Sequence, residues 1–204
     1  SLKGVIEGLS EGFNLLSPSW FGVKTPQFSW PRLRGAYPHL GPEMRSVGEV
    51  AALNKHYHRA LILSWLSASG NKLPHRDEAI LVYNPMEKKT PELEDAAAKL
   101  LDMGYKVITL NGMNMEKLDI VEEEEAIKMM ARGEIGLVMT TGYAPERDYK
   151  VRRTAADLTI PLILNHKLAL ELASAIKNYG ETVNEDIIDM KKYWTQGRNI
   201  VKPD

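Results

Sequence analysis

The stretch IGLVMTTGYAPERDYKVRRTAADLTIPLILN, residues 135–165, contains two apolar runs separated by a helical sequence. Its first apolar run, residues 137–139, stops at a polar turn, and Pro145 then opens a helix. A second apolar run, residues 160–164, ends at Asn165. Two strands joined by one helix make a parallel unit with a right-handed crossover. This stretch therefore predicts part of a parallel sheet.

The same alternation of apolar strands and helices extends on both sides of this stretch. Strands are predicted at residues 79–83, 106–110, 135–139 and 160–164, and helices from Pro91, over 122–132, from Pro145, and over 167–179 and 185–194. Such alternation is typical of α/β proteins with a doubly wound parallel sheet, which we expect from about residue 75 onward.

Residues 1–54 have a different composition, rich in Pro, Gly, Ser and aromatic residues. We expect short strands and loops there, followed by a helix over residues 54–69. A helix-breaking sequence, GNKLP, comes next. The predicted organisation is a tail (residues 1–70), a linker (71–74) and an α/β domain (75–204).

Composition excludes several classes of protein. The 204 residues contain no cysteine, so thiol nucleophiles, thiolate metal sites and disulfides are excluded. A net charge of -1 argues against nucleic-acid binding. No apolar run approaches the ~20 residues that a membrane-spanning helix needs. We expect a soluble, cytoplasmic protein that contacts neither nucleic acid nor membrane.

Polar residues at the carboxyl ends of the strands are the candidate site, because loops there form the binding crevice of such sheets. These polar residues include Lys88, Thr109, Asn111, Thr140, Thr141 and Asn165. Hydroxyls and helix-start amides favour an anion or a nucleotide. The alternative is that polar residues only terminate the strands.

Other polar residues near the crevice have two interpretations each. His166 is either a general acid or base, or the first residue of a helix. Asp148 is either a carboxylate base or an acid that the helix dipole favours. Arg152 and Arg153 are adjacent on a helix, so we expect one to be packed and the other solvated. No Gly-rich phosphate loop, zinc spacing or catalytic triad is evident, and we predict no catalytic or metal-binding residue.

Two stretches resemble the large subunit of carbamoyl-phosphate synthase. LGPEMRSVGEV, residues 40–50, resembles the end of the ATP-grasp synthetic component. DYKVRRTA, residues 148–155, followed by IPLILN, residues 160–165, resembles the methylglyoxal-synthase-like allosteric domain that follows it. The resemblance implies a sheet of about five parallel strands carrying a regulatory site for a nucleotide or ornithine.

The resemblance also implies an enzyme and its partners. The complete enzyme would make carbamoyl phosphate from bicarbonate, ammonia or glutamine and two ATP, with magnesium and potassium, for pyrimidine and arginine biosynthesis. This chain would be a fragment without the ATP- and magnesium-binding residues, and so without cofactors or catalysis of its own. Its partners would be the remainder of the large subunit, the glutaminase small subunit and an effector, and it could form homo-oligomers.

Departures from the family pattern leave alternatives open. The family's nucleotide-binding turn, Thr-x-Gly-Thr, corresponds to residues 110–113, LNGM, which lack both hydroxyls. A packing or subunit-contact module that has lost effector binding is therefore one alternative. Methylglyoxal synthase activity is another, although its strand-end aspartates are missing from residues 110–114 and 140–143.

Overall fold

The computed structural model describes residues 20–39, 46–110 and 118–180. The predicted helix at 185–194 and the candidate residue Asn111 lie outside these ranges. Within them, the chain forms a two-stranded hairpin, a five-stranded sheet and five α-helices. None of these helices is long and apolar enough to cross a membrane.

The amino-terminal part is an antiparallel hairpin followed by a helix. Strand β1 (Phe21–Gln27) pairs with β2 (Gly48–Asn54), and a 3-10 turn, Trp30–Arg32, lies in the described part of the connection between them. Helix α1 (Tyr57–Ser67) packs against both strands. The predicted tail of short strands, loops and one helix thus matches the described residues. Its division from the rest at 71–74 stays a prediction.

The second sheet is parallel throughout. Its strands are β3 (Ala79–Val82), β4 (Lys106–Leu110), β5 (Asp119–Val121), β6 (Ile135–Met139) and β7 (Leu162–Ile163), in the spatial order β5-β4-β3-β6-β7. β3 and β6 are buried along their whole length, as expected for a sheet covered on both faces. The doubly wound α/β fold predicted from the sequence is confirmed.

Four further helices cover this sheet. They are α2 (Pro91–Asp102), α3 (Glu123–Ala131), α4 (Pro145–Asp157) and α5 (His166–Tyr179). α5 packs between α2 and α1, and α3 contacts α4. The helices thus form two groups, α1 with α2 and α5, and α3 with α4. Right-handed crossovers require these groups, because the chain runs outward from β3 to β5 and then back across to β6 and β7.

Two strands differ from the sequence prediction. β5 was not predicted as a separate strand, because three residues that are mostly exposed carry no periodic apolar signal. β7 was expected over residues 160–164, but only Leu162 and Ile163 pair with β6. Both are edge strands, and shortness at an edge limits unwanted pairing with other chains.

Candidate functional site

The strand order reverses between β3 and β6, so the carboxyl ends of these two strands flank the switch point of the sheet. Tyr83 and Asn84 follow β3, and Thr140 and Thr141 follow β6. The backbone amide of Tyr83 donates to the carbonyl oxygen of Met139 at 3.0 Å, which holds the two strand ends side by side.

A buried carboxylate from α4 lies at this switch point. Asp148 is 2% exposed, and its oxygens accept three hydrogen bonds. Donors are the Tyr37 hydroxyl at 2.8 Å, the Tyr83 hydroxyl at 3.2 Å and Nε of Arg152 at 2.6 Å. Because the carboxylate is buried, its charge is compensated by the guanidinium rather than by water. Asp148 is thus an anchor, and neither interpretation from the sequence anticipated this role.

Arg152 connects this anchor to the turn after β6. Its side chain is fully buried, and Nη2 donates to the carbonyl oxygens of Thr141 at 3.0 Å and Gly142 at 2.9 Å. The guanidinium lies 5.0 Å from the centre of the Tyr37 ring, a cation–π distance. Arg152 therefore fixes the turn that carries two of the predicted polar positions.

The two tyrosines of this network stay neutral at physiological pH. Burial and the hydrogen bond with Asp148 raise the pKa of Tyr37 to about 12. Burial and the nearby Asp148 charge also raise the pKa of Tyr83. Both phenols are therefore available as hydrogen-bond donors to the carboxylate.

Arg153 is also buried, so the expectation that one of the two adjacent arginines is solvated was wrong. Its guanidinium donates to the carbonyl oxygens of Leu33 at 3.0 Å, Ala36 at 3.1 Å and Trp30 at 3.0 Å, and to the Asp157 carboxylate. The two arginines do point in different directions. Both are nevertheless covered: Arg152 lies against the turn after β6 and under Tyr37, and Arg153 is covered by residues 30–36 of the connection between β1 and β2.

The candidate residues after β6 and β7 are linked by hydrogen bonds. Thr141 Oγ1 lies 3.1 Å from Nδ1 of His166, the first residue of α5. Asn165 caps that helix, its Oδ1 accepting from the backbone amide of Leu168 at 3.0 Å. Thr140 is fully buried, and its backbone amide donates to Ile163 O. His166 thus begins a helix, as one of its two interpretations held.

The remaining candidates lie elsewhere along the same edge. Thr109 is fully buried within β4, and its hydroxyl donates to the Leu110 carbonyl at 3.1 Å. Lys88 is exposed in the loop before α2, where its carbonyl accepts from Asn84 Nδ2 at 2.8 Å. Effector binding by these residues stays a prediction.

A cavity of about 310 Å³ lies between the hairpin and the edge strand β7. It is lined by β1 and the residues after it (25–28 and Trp30), the end of α1 and its turn (Trp65 and 68–71), the end of α4 (Ala156, Thr159) and residues 160–165 with Leu168. None of these side chains is charged, and amide and hydroxyl groups supply the polar positions. The arrangement suits a largely apolar ligand.

Sequence reasoning missed the contribution of Tyr37 and the cavity. Tyr37 precedes Asp148 by 111 positions and lies in an irregular loop, so no spacing connects the two. Asn165 was predicted as a strand-end residue and does line the cavity.

Topology and site define a doubly wound α/β domain whose carboxyl edge is contacted by Tyr37, from the connection within an amino-terminal hairpin. No family model matches the chain. Curated relatives do: the carbamoyl phosphate synthase large chains of Hyperthermus butylicus (47% identity over 192 residues) and Pyrococcus furiosus (45% over 188 residues) match 94% and 92% of this chain. The large chain of Saccharolobus solfataricus is 36% identical over 181 residues, 88% of this chain.

The chain is therefore homologous to the carbamoyl phosphate synthase large chain, as its sequence motifs indicated. It spans only 17 to 18% of the length of these relatives.

Proposed function

We propose that this chain forms the carboxyl-terminal regulatory region of a carbamoyl phosphate synthase large chain. The relatives' name, the doubly wound sheet and the end-of-ATP-grasp motif at residues 40–50 support this. The remainder of the large chain would be its first partner. Synthesis of carbamoyl phosphate, the metals, the ATP and the glutaminase subunit would belong to that larger assembly.

The observation that carries the regulatory role is the position of the cavity. Both the hairpin and the parallel sheet line it, so a ligand there would contact the two parts at once. A ligand regulates only if its affinity differs between two states of the protein. A cavity shared by two parts provides that difference when the parts move relative to each other.

A thermal-shift titration tests effector binding. Uridine monophosphate, inosine monophosphate and ornithine would each be added in large excess to this chain. At about 100 times the dissociation constant a ligand adds ~2.7 kcal/mol to stability, which shifts the midpoint by several degrees. Asn165→Ala removes the predicted polar residue that lines the cavity, and Lys150→Ala, an exposed change on α4, is the control. Because Asn165 also caps α5, each shift is measured against the same variant without ligand. A shift abolished in Asn165→Ala but kept in Lys150→Ala would support the proposal.

A specific observation favours the alternative of a packing module without an effector. The cavity offers no charged side chain. A phosphate or a zwitterionic amino acid placed there would have unpaired charges, at a substantial free-energy cost. The alternative therefore predicts no shift with any of the three ligands. A shift with any of them would contradict it.

A further inference from the structure

The connection between β1 and β2 carries a segment that crosses α4, residues 28–39, which we call the strap. Within it, the 3-10 turn is its regular element, and residues 32–35 are exposed. Its internal backbone hydrogen bonds are three short-range ones, including Leu33 to Trp30 at 2.9 Å and Ala36 to Leu33 at 3.1 Å. A segment with so few bonds of its own is held in place by what it contacts.

Two residues of α4 hold the body of the strap. The Arg153 guanidinium donates hydrogen bonds to the carbonyl oxygens of Trp30, Leu33 and Ala36. The Tyr149 hydroxyl donates to the Gly35 carbonyl at 3.0 Å. All four acceptors are backbone atoms, so this contact depends on the conformation of the strap.

Tyr37 holds the end of the strap at the carboxyl edge of the sheet. Besides donating to Asp148, its hydroxyl accepts from the backbone amide of Ala144 at 3.3 Å. Its ring packs edge-on against the ring of Tyr143, with centroids 5.3 Å apart, and under the Arg152 guanidinium. Tyr37 therefore covers the turn between β6 and α4, where the predicted polar positions lie.

We propose that the strap is a latch that docks and releases as one unit, closing the turn after β6 when docked and uncovering it when released. The Arg153 contact and the Tyr37 contact would then be coupled through the strap, although they lie on different parts of α4. Movement of the hairpin would be transmitted to the carboxyl edge of the sheet by this unit. The inference needs no effector and goes beyond the regulatory role proposed above.

Hydrogen exchange followed by NMR on this chain tests the latch. Arg153→Lys removes the planar fork, and a lysine cannot serve three carbonyl groups in the same geometry. If the strap opens as a unit, exchange of the Ala144 amide rises at least about tenfold in this variant, although Arg153 does not contact Ala144. Amides in the centre of the sheet, such as those of Ile80 and Leu81, keep their protection. Lys150→Ala, on the same helix and exposed, changes neither set.

Two outcomes would overturn the latch. One is a rise confined to residues 30–36, which would mean that the two contacts open independently. The other is an equal rise in the sheet, which would mean global destabilisation. Should Arg153→Lys not fold, Tyr149→Phe replaces it, since it removes a single hydroxyl bound to Gly35. The latch then requires faster exchange of the Ala144 amide in Tyr149→Phe, and an unchanged rate rejects it.

Discussion

At the residue scale, two left-handed residues face each other where the turns after α1 and α4 meet. Gly70 has φ +83°, and a Cβ there would lie 2.6 Å from Cγ2 of Thr159, whose own φ is 57°. Gly70→Ala combines overpacking with an unfavourable φ, so we expect the free energy of unfolding to fall by about 1–3 kcal/mol. Urea unfolding measures the change.

Substitution of Thr159, the residue that faces Gly70, should change the free energy of unfolding in the opposite direction. Thr159 is β-branched at positive φ, a conformation that costs roughly 1–2 kcal/mol, whereas glycine there adds only the entropy of a more flexible unfolded chain. Thr159→Gly should therefore raise the free energy of unfolding slightly, by up to about 1 kcal/mol. In the Gly70→Ala/Thr159→Gly double variant the cost of the alanine should shrink. Additive effects would show that this contact is not the cause.

Charge removal at Asp148 provides a third prediction. Asp148→Asn keeps the shape but leaves the fully buried Arg152 guanidinium without its counter-ion. Breaking a buried pair in this way costs about 3–5 kcal/mol of unfolding free energy. Glu146→Gln, an exposed change in the same helical turn, should stay within about 0.5 kcal/mol. Chemical denaturation measures the free energy of unfolding of both variants. Equally small losses in the two variants would contradict the role of Asp148 as an anchor.

Individual side chains were predictable where position alone decides their role. Thr141 and Asn165 follow apolar runs, and the structure has them at strand ends. The pairing of Tyr37 with Asp148 was not predictable, because it depends on where a loop of the tail crosses α4. The burial of both arginines has the same origin, since a helix that looks half exposed in sequence is covered by that loop.

At the element scale, α4 ends in an ion pair that makes stability depend on pH. The hydrogen bond from Arg153 holds the pKa of Asp157 below its ordinary value. A carboxyl group whose pKa is lower in the folded state contributes stability above its unfolded pKa of ~3.9, and this contribution is lost as pH falls through the folded value. The stability of the native chain relative to Asp157→Asn should therefore decline as pH falls below about 4. Urea midpoints of both proteins at neutral and acidic pH test this, and a constant difference would contradict it.

Strands that consist of a long apolar run were predictable from the sequence, and the short edge strands were not. β3, β4 and β6 are buried runs bounded by polar turns, so their sequences specify them. β5 and β7 have three and two residues and are set by pairing with a neighbour. Their extent follows from the tertiary arrangement rather than from local sequence.

At the scale of the whole molecule, the parallel sheet depends on the tail. A chain cut at the predicted linker, leaving residues 75–204, would lose the three carbonyl acceptors of Arg153 and the Tyr37 donor to Asp148. The cut would also expose the apolar face of α5 that α1 covers, and apolar area returned to water costs roughly 25 cal/mol per Å². We expect this shorter chain to unfold at lower urea than the full chain. Equal midpoints would show that the contacts with the tail contribute nothing to the sheet.

The fold class and the family were predictable for the molecule as a whole, whereas the docking of the tail was not. The pattern of apolar and polar residues indicates which parts of each element are buried, and the sequence motifs indicate the protein family. Neither reports how a proline-rich loop with few bonds of its own lies on a helix more than a hundred residues later.

The strap belongs to the connection between β1 and β2, whose two ends both lie in one hairpin, and this has a kinetic consequence. Gln27 pairs with Gly48, so both ends of the loop are held one strand spacing apart, ~4.8 Å. A strap released from α4 cannot diffuse away. Its return is an intramolecular encounter at an effective concentration on the order of millimolar, so diluting the protein does not open it. A competitor bound to α4, or a movement of the hairpin itself, would keep it open.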